Sequence, residues 1–98
     1  MSRITETEIA EIVEAYLKEK TSGRASIQEL VKVIPDRVTL SEEDRAQSPT
    51  RRNEAIWEQQ VRNITSHKGS PGNAIFEGKL VAVSGGLALP GKEDLFQE

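Results

Sequence analysis

Between Ser48 and Lys68 the chain reads SPTRRNEAIWEQQVRNITSHK, and its polar side chains are of the kinds that bond phosphates and base edges: Arg51, Arg52, Gln59, Arg62, Asn63 and Ser66. Guanidinium and amide groups offer paired donors and acceptors that match base edges in a DNA major groove, and arginine also meets phosphate oxygens. On a helix turning about 100° per residue, Trp57, Val61 and Ile64 form one apolar stripe. The six polar residues lie opposite, with no carboxylate among them, and Glu54 and Glu58 sit on the flanks. His67 and Lys68 at the end of this helix, and Lys79 further on, add peripheral phosphate contacts. An ordinary solvated helix has a similar outer face, so the weight falls on the charge map and on the helix's place in the chain.

Net charge is −3, unfavourable for a polyanion as a whole, but the charge is unevenly spread. Residues 1–44 hold six Lys/Arg and ten Asp/Glu, residues 45–68 hold five and two, and residues 69–98 hold two and four. The excess positive charge therefore lies on one element and its lead-in, and local potential decides where a polyanion docks. The acidic remainder weakens non-specific binding and sharpens its salt dependence.

A chain of 98 residues, 30% of them charged, fits one soluble domain with one core. The absence of cysteine excludes disulfides and thiolate metal sites, and a lone histidine excludes a histidine cluster. No cofactor and no small-molecule ligand are expected. No apolar run approaches the roughly 20 residues of a membrane span, and the N-terminus lacks a signal-peptide pattern. A cytoplasmic protein is the expectation.

The elements that must position the polar helix follow in order. Thr5 and Glu8 make a capping box before Ile9, Ile12, Val13, Tyr16 and Leu17, which predicts an amphipathic helix over 6–20. Thr21-Ser22-Gly23 ends it and Arg24-Ala25 is a short extended link. Ser26 and Glu29 form a second capping box, and Ile27, Leu30, Val31 and Ile34 mark a shorter helix stopped by Pro35. Ser41 before Glu42-Glu43-Asp44 can start one helical turn. Ser48 as cap and Pro49 in the first turn predict the third helix over 49–67. Leu80–Val83 and Leu87–Leu89 flank Ser84-Gly85-Gly86 as a hairpin, and Ala74-Ile75-Phe76 is expected to add a segment to the same sheet. Residues 92–98 read as a short polar tail carrying Leu95 and Phe96.

Three helices followed by a small β-hairpin is the order of an α+β winged helix-turn-helix domain, in which the third helix is presented to double-stranded DNA and the hairpin is the wing. The helix chosen by its chemistry is also the helix chosen by topology.

The runs Trp57–Lys68, Asn73–Gly78 and Gly85–Gly91 resemble the N-terminal winged-helix domains of prokaryotic restriction endonucleases of the Mrr and HNH type. There an Arg-rich helix with a W…VRN-like core precedes a wing that ends in a G-x-x-L-T-like turn and a Gly. The likeness covers about the last half of the chain, and Pro90 departs from it where Thr is usual. It implies DNA binding with cutting by a separate domain, and it carries over Arg62, Asn63, His67 and Lys68 as DNA-facing residues. A small transcription regulator, as a homodimer spacing two such helices by a DNA turn, is the other form this function takes.

Pro35-Asp36 and Glu77-Gly78-Lys79 match the PD…E-x-K signature of metal-dependent nucleases, but a predicted helix separates them and neither lies on a predicted strand. Trp57 can stack on a base, yet its stripe partners make it a core anchor. The acidic first half also fits a protein-docking winged helix, an adaptor or complex subunit, meeting a partner through the wing or Leu95 and Phe96. That alternative gains if Arg51, Arg52 and Arg62 are neutralised by neighbouring carboxylates.

Overall fold

Thr5 opens the first helix, α1 (Glu6–Glu19), with both halves of its capping box: the Glu8 N–H donates to Thr5 Oγ1 at 3.1 Å and the Thr5 N–H to Glu8 Oε1 at 2.9 Å. The structure is a computed structural model describing residues 3–49 and 53–92. Ile9, Ala10, Val13 and Leu17 on α1 are buried, as the helical spacing requires. Strand β1 (Arg24–Ser26) follows, then α2 (Ile27–Val33) and a 3-10 turn (Ile34–Asp36). Ser26 caps α2 by accepting the Glu29 N–H at 3.0 Å. The expected second capping box is only half made, because the Glu29 carboxylate turns to the Tyr16 hydroxyl and to Lys20 Nζ. The short α3 (Glu42–Arg45) has a full box between Ser41 and Asp44.

The fourth helix, α4 (Ile56–Ser66), buries Trp57, Val61 and Ile64 against α1, α2 and α3. It starts at Ile56, where the sequence predicts Pro49. Ser48 is buried, and the residue at the N-cap position of α4 is Ala55. The Ser48 N–H donates to Glu54 O and the Ile56 N–H to Ala46 O, both at 2.8 Å, and Gln47 bridges Ala55. The chain reverses across these bonds, which satisfies backbone groups that a longer helix would otherwise have to satisfy itself. Asn53 takes a left-handed φ of 63°, which no helix contains.

Strands β2 (Val81–Val83) and β3 (Gly86–Ala88) form the expected hairpin around Ser84-Gly85, with Gly85 at φ 72°. The sheet is three-stranded and antiparallel in the order β1-β3-β2, so its third strand is β1, expected only as an extended link. β3 is central and fully buried. Its first residue must be glycine, since a Cβ on Gly86 would lie 2.1 Å from the Ala25 carbonyl oxygen of β1. Residues 74–76 do not join the sheet. Asn73 Oδ1 accepts the N–H groups of Ile75 and Phe76 at 2.8 and 3.1 Å, folding that stretch into turns and leaving Phe76 exposed. The described chain is thus α+β, with four helices where three were expected. No helix among the described residues is long and apolar enough to cross a membrane.

Candidate nucleic-acid interface

α4 is held on one side by α1, on the other by α2 and from below by α3, so its Trp57–Val61–Ile64 stripe is sealed and its opposite face is open. Gln59, Arg62, Asn63 and Ser66 share that open side. Arg62 and Ser66 are exposed, whereas Gln59 and Asn63 are half-buried. Gln59 Oε1 accepts the Ser48 hydroxyl at 2.7 Å, fixing the orientation of its amide. Asn63 Nδ2 donates to Gln60 Oε1 at 3.2 Å, and Gln60 Nε2 reaches Ile4 O at 3.3 Å.

Arg62 is not a bare cation. Its Nε–H donates to Glu54 Oε2 in a short ion pair, with side-chain exposures of 44% for Arg62 and 16% for Glu54. Glu54 lies eight residues before Arg62, outside helical reach. The two meet because the chain reverses between 46–48 and 54–56. This is the neutralisation that the protein-docking alternative called for, at one of the three arginines. Arg51 and Arg52 lie outside the described residues.

A groove of about 450 Å³ runs between α2 and α4, with Ile27, Val31 and Lys32 on one wall and Glu54 and Arg62 on the other. It continues into a space of about 270 Å³ between Arg62, Ser66 and the hairpin turn at Gly85. The Ile27 N–H donates to Gly85 O at 2.9 Å, so the turn is fastened to the start of α2 and closes that end of the groove. Lys32 on α2 was not singled out from the sequence. It is exposed, and like Lys68 and Lys79 it has no ion pair with another described residue.

The remaining expected residues do not gather on this face. His67 follows α4 and its Nδ1 lies 2.7 Å from Glu6 Oε1 at the start of α1. Glu6 Oε2 accepts Asn73 Nδ2 at 2.8 Å, and the same amide nitrogen donates to Ile64 O at 2.9 Å. His67 therefore serves the joint between α1, α4 and the following loop. Lys68 is exposed in a turn after α4. Lys79 is exposed just before β2, at the hairpin's entry and at the end away from Ser84-Gly85. Sequence reasoning missed Asn73, which acts through partners distant in sequence, whereas Glu54 was among the carboxylates it offered as partners for the arginines.

Asp44, Glu29 and Glu19 are engaged in structure. Asp44 is buried. Burial pushes its pKa up, but the Ser41 and Ile4 N–H groups at 3.0 and 2.8 Å outweigh this and hold it below the ordinary carboxylate value. The Glu29 carboxylate is held low, first by Lys20 Nζ at 2.6 Å and then by the Tyr16 hydroxyl. Arg37 grips Glu19 through two nitrogens at 2.8 and 2.6 Å and lies 4.9 Å from the Tyr16 ring centre. For the PD…E-x-K reading, Asp36 ends the 3-10 turn, and the Glu77 carboxylate accepts the Gly72 N–H at 2.9 Å. No cluster of three or more metal-ligating side chains occurs among the described residues.

Comparison with family models, with curated proteins and with solved structures gives no match.

Proposed function

We propose that this chain is a winged helix-turn-helix module that binds double-stranded DNA through α4, as a small regulator or as the targeting domain of a restriction system. Supporting the fold assignment is the order helix, strand, helix, short helix, helix, hairpin, with β1 from between the first two helices pairing the hairpin's second strand. The observation that carries the function is the open face of α4. It presents a guanidinium and a hydroxyl beside a groove edged by α2 and the hairpin turn, and two amides on the side toward the start of α1. Such groups bond base edges, while Lys32, Lys68 and Lys79 offer charge for the backbone. The hairpin turn has two residues and is tied to α2, so this wing is short and recognition falls on α4. The likeness of Trp57–Gly91 to restriction-enzyme targeting domains accords with this reading, the cutting being left to another domain.

A protein-docking winged helix is the second reading, favoured by the Arg62–Glu54 pair, which lowers the positive potential of the face. Fluorescence anisotropy with a random-sequence duplex across a salt series separates the two. The DNA reading expects micromolar binding at low salt and a log–log slope of about −3 to −4, from about four neutralised phosphates. It also expects an Arg51→Ala/Arg62→Ala variant to lose most of that binding, since the change removes two cations and uncovers Glu54. Absence of binding by the wild type at low salt overturns this reading and leaves the docking one.

A further inference from the structure

We infer that Glu54 is a positioning residue for Arg62, and that the pair reads a guanine in the bound duplex; this rests on the DNA-binding reading above. A guanidinium has five N–H donors: one on Nε and four on the two terminal nitrogens. Glu54 takes the Nε–H. The terminal nitrogens of Arg62 make no hydrogen bond to any described residue. With Nε held, the edge left facing out is the end-on edge, which carries two parallel N–H groups. Guanine is the base whose major-groove edge shows two adjacent acceptors, N7 and O6. Adenine sets a donor against one of the two N–H groups, and thymine and cytosine each offer at most one acceptor.

The same fork also fits a phosphate, and the structure favours the base. Glu54 offsets part of the charge of Arg62, and charge is what a phosphate contact uses. What survives is a donor pair with fixed direction, which is what an uncharged base edge uses. Exposure points the same way. Glu54 is mostly buried and Arg62 is exposed, so the carboxylate braces a guanidinium that still reaches solvent. Arg62 also stands beside Ser66 at the α2 side of the open face of α4, where the groove between the two helices meets the hairpin turn. Holding the side chain in advance removes rotamer entropy that binding would otherwise have to overcome.

The test is selection of wild type, Glu54→Gln and Arg62→Lys against duplexes with a randomised centre of about ten base pairs, one DNA turn, read by sequencing. Wild type is expected to enrich guanine at one position by roughly tenfold over other bases, the discrimination of one bidentate pair. Both variants are expected to keep binding the pool while that enrichment falls below about twofold, because Gln is uncharged and Lys has no fork. Arg62 is exposed, so Arg62→Lys folds even where Glu54→Gln does not. Enrichment that persists in either variant overturns the inference. Wild-type binding with no guanine preference overturns it while leaving the DNA reading intact. Failure of wild type to bind the pool removes both.

Discussion

Replacing Gly86 with alanine places a methyl group 2.1 Å from the carbonyl oxygen of Ala25, 2.9 Å from Ser26 Cα and 3.0 Å from Ala25 C. All three are backbone atoms, so no side chain can turn aside. β1 and β3 must separate, and the buried Leu87 and Ala88 beside the clash must shift with them. Overpacking of a fixed core costs typically 1–3 kcal/mol, and weakened ladder hydrogen bonds add about 1 kcal/mol, giving a loss of about 2–4 kcal/mol. Total stability for a domain of this size is about 5–15 kcal/mol, so the loss is a large share of it. At about 4–8 °C per kcal/mol, the expected fall in Tm is of order 10–25 °C. Circular-dichroism melting of wild type and Gly86→Ala measures it. Gly69→Ala is the control: a Cβ there meets nothing within 4 Å, so its Tm is expected to stay level or rise slightly. A Gly86→Ala variant that melts within about 3 °C of wild type, well under the shift for 1 kcal/mol, refutes the pairing of β1 with β3.

Asn73→Ala removes four hydrogen bonds and is expected to cost about 2–4 kcal/mol, with faster amide exchange at Ile75 and Phe76; unchanged exchange there refutes its role as the loop's organiser. Asp44→Asn keeps the shape but turns one accepting oxygen into a donor facing an N–H of Ile4 or Ser41, and should lower the denaturation midpoint by about 1–3 kcal/mol equivalent. Acid stability follows from carboxylates whose folded pKa is lowered. Glu29 and Glu19 have an ordinary value of 4.5 and Asp44 of 3.8, so their contribution is complete at neutral pH. It declines as pH falls below about 4.5 and through the lower folded values. Denaturation midpoints at a series of pH values check this, and Glu29→Gln should flatten the acid limb; an identical limb in the variant contradicts the assignment. Tyr16 has a raised pKa, chiefly from its hydrogen bond to Glu29, so its contribution is present below pH 10.0 and is lost as pH rises through the folded value. Tyr16→Phe should show no such alkaline loss.

Local signals were legible wherever the partners lie within a turn of each other. The Thr5–Glu8 box and the i, i+3, i+4 spacing of Ile9, Ile12, Val13 and Tyr16 located α1 to within a residue. Ser41 before three acids announced α3, and Ser84-Gly85 announced the hairpin. The Trp57–Val61–Ile64 stripe told which side of α4 is buried, and hence which side faces out. These features depend on helical and strand periodicity, which belongs to the sequence.

What the tertiary structure decided were the features that depend on residues far apart in the chain. Arg24–Ser26 becomes a strand because β3 arrives some sixty residues later with a glycine small enough to lie against it. Asn73 folds residues 74–76 away from the sheet because Ile64 and Glu6 hold its amide. α4 starts late because backbone bonds between 46–48 and 54–56 compete with the helical first turn that Pro49 would favour. The same reversal brings Glu54 against Arg62 and pairs that arginine of the open face with a carboxylate. Periodicity fixes which way a side chain points from its own element. It carries no information on which group, arriving from elsewhere, stands opposite, and at this site that group decides what Arg62 is able to do.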